Sequence, residues 1–523
     1  MATITISFTI LVTTSLLIIS ILTLLKRPSN SSSSSSKPPA RLPPGPWALP
    51  VIGNLHQMAI GSSVPHRRLR DLAKQHGPLM RLRFGEVPIV VVSSAEWAKL
   101  LLQTHDVHFL DRPLLPAARI IFYGGRDMGF TPYGEYWRQM RKVCNMGLLG
   151  ATRVKSLHPT MEQEVSKLVA QTRAAAAAAG PINLSVVLFD LGSCVNSRVV
   201  LGMSAVRQEQ VGLFFSLTKQ LMKALGGFSL VDMFPSSDLL RRLTGAHAEL
   251  KKLHAAVDAI LETIISDHEA KRSSAAMNDE EEEEDQDLVD FLLNLKENKD
   301  LGFPFTNVEI KSVIFDILMA GTNTWNAVIE WALSEMLKNP RIMKKAQDEV
   351  RQLVFNGKGD IVDEACINQL HYLQLVVTET LRLHPSGPLN VPRENQETVV
   401  IQGYRIPAKT KVIFNSWAIG RDPNHWTDPE TFYPERFLNT CTDYKGLHFQ
   451  FIPFGAGRRM CPGVHYGTTI AKLVLANLLY HFDWELANGV KPQDLDMEER
   501  LGLDLRRKND LVIIPIPYHH QAA

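Results

Sequence analysis

The sequence predicts a mainly α-helical protein with small β-sheets, preceded by a single N-terminal transmembrane helix. Three observations predict this. Met1–Leu25 carries no charged side chain and is rich in Ile, Leu, Val and Thr, and about 20 such residues cross a bilayer core. From Tyr136 to Leu383 helical patterns dominate. Strand patterns are few and short, the clearest being an alternating pair around a Gly-Glu turn at positions 85 and 86.

Composition sets the outer bounds. With 45% hydrophobic and 21% charged residues, 32 Gly and 30 Pro in 523 positions, the chain is neither collagen-like nor mostly disordered. At roughly 150 residues per domain, length alone suggests three or four domains. Lys plus Arg number 56 and Asp plus Glu 54, for a net charge of +2, which argues against a nucleic-acid binder. Five Cys are too few and too odd for a disulfide framework. They point to a reducing compartment or to one Cys with a chemical task.

The elements follow in order. Lys26 and Arg27 come directly after the apolar segment, and positive charge on that flank keeps the remaining chain cytosolic. A cleaved signal peptide would need a basic start, a shorter apolar core and a small-residue cleavage site. Residues 1–27 therefore read as an uncleaved anchor. Residues 28–46 read as a tether and hinge: Ser29–Ser36 is flexible, and the proline-rich stretch from Lys37 to Pro46 is stiff and extended. The body, 47–523, shows no second long tether. Leu79–Phe84 and Val87–Val92 form a hairpin, and Ser94 caps a helix running to about Gln103. The alanine run Ala174–Ala179 ends at Gly180-Pro181 as a helix end. Asp279–Asp285 is seven acidic residues in a row, a solvated loop. Setting these and Asp287 aside takes the net charge of the remainder from +2 to +10, so the body is distinctly basic.

One long helix stands out. Thr306 and Glu309 make a capping box, and Asn339-Pro340 stops a helical run of about 50 Å. Ala320-Gly-Thr-Asn-Thr324 interrupts its middle with residues that are locally unfavourable in helices. Such breaches tend to mark function. Further on, Val399–Tyr404 and Lys411–Asn415 read as strands, and Asp422-Pro423 and Asp428-Pro429 as turns.

Phe454-Gly-Ala-Gly-Arg-Arg-Met-Cys-Pro-Gly463 is the most informative segment. Its glycines allow close approach of backbone to a flat or bulky group. Cys461 precedes an apolar helical run, Tyr466–Phe482, whose N-terminus favours the thiolate. Arg458 and Arg459 add positive charge. Such a thiolate is a nucleophile or a metal ligand. A phosphate loop is excluded, because the segment lacks a Lys-Ser/Thr end and a G-x-G-x-x-G run.

Phe454, Gly457, Arg459, Cys461 and Gly463, spaced F-x-x-G-x-R-x-C-x-G, resemble the heme-binding signature of the cytochrome P-450 family. Four further segments resemble the family in the family's order: Trp137 and Arg141 as W-x-x-x-R, Ala320–Thr324 as the oxygen-activation segment, Glu379 and Arg382 as E-x-x-R, and Phe432–Phe437 as the P-E-R-F segment with Arg436. The hinge and the Cys-loop sequence resemble plant microsomal members of the A-type, family 71 clan.

The resemblance implies one large heme domain over 47–523, an anchored protein on the endoplasmic reticulum facing the cytosol, and monooxygenase activity. Heme b is the implied cofactor, with Cys461 as the axial iron ligand. Arg459, Trp137 and Arg141 are implied heme-propionate partners, and Phe454, Gly457 and Gly463 shape the loop. Glu379, Arg382 and Arg436 form a structural network. Thr324 would organise water and dioxygen. Position 323, usually an acid in the family, is Asn323, and Trp325 replaces a small hydroxyl residue. About 100° per residue turns Trp325 away from the iron. These departures leave oxidative rearrangement, ring expansion, coupling, or redox-neutral isomerisation or dehydration as the alternative outcome. Ile120, Phe122, Leu318, Ala320, Gly387, Leu389, Asn390 and Leu503 are placed by analogy at a mostly apolar substrate pocket, suited to an alkaloid, terpenoid or phenolic plant metabolite. The implied partners are O2, membrane lipid, the small substrate, and an NADPH-cytochrome P-450 reductase docking on charges such as Arg138 and Lys142.

Overall fold

A computed structural model describes residues 40–59, 64–202, 208–225, 229–277, 287–298, 302–357, 362–500, 502 and 504–519. The predicted anchor, the serine tether, the acidic run Asp279–Asp285 and Leu503 lie outside the described residues.

The strands are β1 (Leu79–Phe84), β2 (Val87–Val92), β3 (Ile182–Asn183), β4 (Arg393–Glu394), β5 (Val399–Ile401), β6 (Tyr404–Ile406), β7 (Lys411–Phe414), β8 (Phe482–Leu486), β9 (Glu499–Arg500), β10 (Arg506–Arg507) and β11 (Val512–Pro517). The predicted hairpin has the observed bounds of β1 and β2. It extends to a four-stranded sheet of order β1-β2-β7-β4, with β2 parallel to β7. The stretch read as one strand, Val399–Tyr404, is instead the start of the β5–β6 hairpin. Gln402 at φ 47° and Gly403 at φ 81° reverse the chain there, as two left-handed residues do in a two-residue turn. β11 lies between β3 and β8, and β9 pairs with β10.

Six helices frame the site: α1 (Glu135–Cys144), α2 (His158–Ala177), α3 (Leu184–Leu201), α4 (Asn307–Lys338), α5 (His371–Leu383) and α6 (Val464–His481). α4 is the predicted long helix. Thr306 and Glu309 form the expected reciprocal cap, and Asn339 ends it before Pro340. Its irregular middle stays helical, with the threonine hydroxyls bonded back to carbonyls one turn earlier. Thr322 Oγ1 donates to the Leu318 carbonyl at 2.6 Å, and Thr324 Oγ1 to that of Ala320 at 2.9 Å.

Helices α3, α5 and α6 all pack on α4. The crossing with α3 is close. A Cβ on Gly192 would lie 2.7 Å from Asn326 Nδ2 and 3.0 Å from the Thr322 carbonyl, so only glycine fits. A buried chain of hydrogen bonds ties the three helices: Tyr466 OH donates to Asn196 Oδ1 at 2.8 Å, and Asn196 Nδ2 donates to Thr322 Oγ1 at 3.0 Å. Among the described residues one helix, α3, is long and apolar enough to cross a membrane. Its packing between α2 and α4 identifies it as a core helix.

Candidate functional site

The site rests on a buried ion network. The side chains of Glu379 and Arg382, three apart on α5, are fully buried. Arg382 Nε and Nη2 grip the Glu379 carboxylate at 2.7 and 2.8 Å. Its remaining N–H groups reach the carbonyls of Gly420 and Pro429, both at 2.7 Å, and Thr431 at 3.2 Å. Arg436 Nε and the Tyr433 backbone N–H complete the Glu379 acceptors at 2.9 and 2.8 Å. Glu379, Arg382 and Arg436, which the resemblance joined in one network, are therefore in contact. They fasten the segment 420–436 to α5.

Downstream of that segment lies the Cys loop. The Cys461 N–H donates to the Phe454 carbonyl at 3.0 Å and closes the loop. Phe454 packs edge-on against Tyr444, with centroids 5.6 Å apart. Gly457 has φ 69°, and a Cβ there would lie 2.5 Å from the Leu102 carbonyl oxygen. Glycine is obligatory on both grounds. At Gly463 an added Cβ would meet only the Cys461 sulfur, at 3.9 Å. Cys461 is exposed by surface area, yet burial still pushes its thiol up, while the Gly463 amide and Arg141 pull it down. The two observations agree if Sγ faces an internal cleft rather than the outer surface.

Helix α6, which Cys461 precedes, packs along α4. On α4, Ala320 and Thr324 are exposed although the helix is otherwise buried almost throughout. Four residues apart, they share one face, so this stripe also opens on interior space. Trp325 points elsewhere: it is buried in the main core beside Gly467. Asn323 is half-buried, and its Oδ1 accepts from Arg506 Nη2 at 2.5 Å.

Beside the cleft lies a cluster of guanidinium groups. Arg459 donates to the carbonyls of Leu110 at 2.8 Å and Thr131 at 2.5 Å, while its buried Nη1 has no partner among the described residues. Arg393 bonds the Ala456 carbonyl at 2.8 Å and Asp106 at 3.3 Å. Arg112 bonds the Val391 and Pro392 carbonyls, and its buried Nε has no partner among the described residues. Burial, with the other two cations close by, drives Arg112 well below its usual range, and burial lowers Arg459 and Arg393 to about 10. A buried cationic cluster with spare donors calls for an anion. Arg112 and Arg393 were not singled out in the sequence. Arg393 follows Pro392 in an unremarkable strand, and only the fold brings it to Arg459.

The other expected propionate partners are placed differently. The Trp137 indole N–H donates to the Met128 carbonyl at 3.1 Å, which engages the donor expected for a carboxylate. Two cations instead lie over Trp137, with Arg459 4.4 Å and Arg141 5.4 Å from its ring centroid. Arg141 is lowered by burial and raised by the nearby Cys461, which places it on the thiol side.

The residues present thus fit heme: one accessible thiol, a loop cleared by glycine, and arginine donors that have no partner among the described residues. The comparisons agree. Residues 43–514 match the family described as cytochrome P-450. The chain belongs to the cytochrome P-450 family. It is 47% identical over 479 residues to cytochrome P-450 71D11 of Lotus japonicus, covering 91% of this chain and 95% of that one. It is 46% identical to desmethyl-deoxy-podophyllotoxin synthase of Sinopodophyllum hexandrum over 480 residues, 92% of each chain. The value is also 46% for tabersonine 6,7-epoxidase isoform 1 of Catharanthus roseus, over 476 residues and 91% of each chain. A zebra fish cytochrome P-450 solved with abiraterone matches in fold, with a TM-score of 0.71 at 23% identity over 87% of this chain and 99% of that one. This cytochrome P-450 is therefore a heme-thiolate enzyme of the plant monooxygenase type, acting on a small substrate with O2.

The expected pocket residues divide. Ile120, Gly387 and Leu389 are half-buried, and the Gly387 Cβ position is open. Phe122 is buried, stacked on Phe130 at 4.5 Å and edge-on to Phe315 on α4. Leu318 is buried in the main core and stands about 200° round the helix from Ala320, so it lies off the open stripe. Asn390 has φ 49°, and its amide donates to the Ile452 carbonyl at 3.4 Å. That is a turn role, which Asn tolerates better than most residues.

One acidic pair escaped the sequence reading. Asp316 lies four residues before Ala320 on the same stripe and accepts the Met128 N–H at 2.8 Å. Asp127 accepts the Phe130 N–H at 2.8 Å, and its other oxygen is buried with no partner among the described residues. Burial raises both carboxyls, Asp316 to about 7, and Asp316 further raises Asp127. The available signal was an acid in the otherwise apolar run Val313–Met319.

Proposed function

We propose that this cytochrome P-450 oxidises a small, mostly apolar plant specialised metabolite with O2, using electrons delivered from NADPH by a membrane-bound reductase. The observation that carries this reading is an accessible Cys461 just ahead of α6, which packs on the helix that bears the open Ala320–Thr324 stripe. Heme bound there supplies dioxygen activation, with the thiolate favouring O–O cleavage.

The chain's own residues do the rest. Cys461 would hold the iron. Arg459, Arg393 and Arg112 offer donors for the propionates. Thr324 already donates its hydroxyl to the Ala320 carbonyl, so its oxygen lone pairs remain to accept from a water. The apolar walls at Ile120 and Leu389 favour a hydrocarbon scaffold. The segment 1–27 would anchor the protein in the endoplasmic reticulum membrane, with the heme domain on the cytosolic side.

Electron delivery would use the exposed side of α1. A surface hollow of about 450 Å³ is lined by Trp137, Arg138, Arg141, Lys142, Asn145 and Met146. Lys142 is the freer docking charge there, because Arg138 is already held by Glu135 at 2.5 and 3.1 Å. A second reading, redox-neutral turnover or oxidative rearrangement, is favoured by one observation: Asn323 stands where the family usually has an acid. Microsomes with and without reductase, given a terpenoid and alkaloid panel, test both. Product that needs NADPH and O2 supports the first reading. Product formed without reductase refutes it in favour of the second.

A further inference from the structure

Asn323 is not free to choose which end of its amide it presents. A guanidinium carries donors only, so the atom facing Arg506 must be Oδ1, and Arg506 Nη2 donates to it at 2.5 Å and to the Asn323 backbone carbonyl at 3.4 Å. Arg506 is itself held. Its Nε donates to Asp504 Oδ2 at 2.6 Å, and its side chain is only 15% exposed. The strand that carries it is pinned to α4. Trp331 Nε1 donates to the Leu505 carbonyl at 2.9 Å, and Arg507 Nη1 to Ser334 Oγ at 3.0 Å. The Leu505 N–H reaches the Ser386 carbonyl at 2.9 Å, and Ser386 Oγ donates to the Thr324 carbonyl at 2.8 Å. Both ends of the Arg506–Asn323 contact are therefore fixed to one helix, α4, over about three of its turns. Among the described residues Asn323 Nδ2 has no protein partner.

We propose that Arg506, backed by Asp504, is a positioning residue that locks the Asn323 amide with its oxygen bound and its two N–H donors left for water or substrate beside Thr324. This rests on the monooxygenase reading above. Position 323 then acts as a fixed donor that holds a water without exchanging a proton of its own. The carboxylate that the family usually carries in α4 has a counterpart one step removed, at Asp504. A carboxylate placed at 323 would be captured by Arg506 as an ion pair.

The test uses the full-length protein in microsomes with reductase. It reads the peroxide released per NADPH oxidised without added substrate, together with the rate of thermal unfolding. Arg506→Ala is expected to raise the peroxide yield severalfold, and Arg506→Lys, which keeps a donor, to restore most of it. Asn323→Asp alone should show no titration of that yield between pH 5 and 8, whereas Asn323→Asp with Arg506→Ala should show one, because the acid has lost its cation. In thermal unfolding, Arg506→Ala and Asn323→Ala should be non-additive, as contacting residues are. An unchanged peroxide yield in Arg506→Ala with an intact ferrous carbon-monoxide band overturns the proposal. So does additivity in unfolding. Loss of that band in both Arg506→Ala and Arg506→Met makes the residue a folding element and overturns it equally. Absence of the band in the parent protein would instead defeat the monooxygenase reading.

Discussion

Replacing Glu379 by Gln removes one charge and almost no volume. Glu379 accepts four hydrogen bonds: Oε1 from Arg382 Nη2, Tyr433 N and Arg436 Nε, and Oε2 from Arg382 Nε at 2.7 Å. Glutamine keeps one oxygen. Its best orientation saves the three bonds at Oε1 and sets an NH2 group against Arg382 Nε, donor against donor. The two arginines then sit beside a neutral partner, with Arg382 fully buried and Arg436 nearly so. Breaking a buried ion pair by removing one partner costs about 3–5 kcal/mol. At about 2.1 cal/mol/K per residue, the span 43–514 has an unfolding entropy of roughly 1 kcal/mol/K. The loss should lower the midpoint by about 3–5 °C. Scans at one fixed rate, followed by circular dichroism, measure it, since unfolding of a chain this large is governed partly by kinetics. Asp348→Asn serves as a surface control, because it and its partner Lys344 are both solvent-exposed and such pairs are worth at most about 1 kcal/mol. A Glu379→Gln midpoint within about 1 °C of the parent refutes the claim that this network holds the segment before the Cys loop.

Two other perturbations follow from the site. Asp316 and Asp127 are both raised by burial, Asp316 to about 7. Carboxyls shifted in that direction contribute stability that is complete below the usual carboxylate range and is lost as pH rises through about 7. Urea midpoints of the parent should therefore fall between about pH 4 and 7, and Asp316→Asn should flatten that fall; an equal slope in the variant contradicts the pairing. Gly457→Ala would force a Cβ to 2.5 Å from the Leu102 carbonyl oxygen at φ 69°, a strain of about 1–3 kcal/mol or more. The heme-to-protein ratio of the purified variant should drop clearly, and a normal ratio would mean the loop yields easily.

What was legible in the sequence was local. The hairpin Leu79–Phe84 and Val87–Val92 and the capped helix ending at Lys338 were read to the residue, because the signals that end them sit beside them. The helix after Ser94 was read as continuous to about Gln103. It leaves the α geometry after Lys99 for a wider turn over Leu100–Thr104, a change with no side-chain signature. The strand read at Val399–Tyr404 failed because Gln402, an ordinary residue, adopts a left-handed turn next to Gly403. At the site, spacing alone left Glu379 and Arg382 as a surface pair and Cys461 as a nucleophile or a metal ligand; the resemblance to the cytochrome P-450 family supplied the network and the iron-ligand role. Arg393 and Arg506 were not legible, since each acts across the fold: Arg506 meets Asn323 at a separation of 183 residues. Asn390 and Leu318 were placed by analogy, and the backbone angle of one and the helical phase of the other assign them to a turn and to the core. The length prior of three or four domains stands against a single family match over residues 43–514, within which α3, α5 and α6 all pack on α4.

The most direct test of the central claim is the ferrous carbon-monoxide difference spectrum of the purified protein and of Cys461→Ser. The account predicts the strongly red-shifted Soret band of thiolate ligation in the parent and its loss in the variant. An imidazole-type band in the parent, or a red-shifted band that survives in Cys461→Ser, would contradict it.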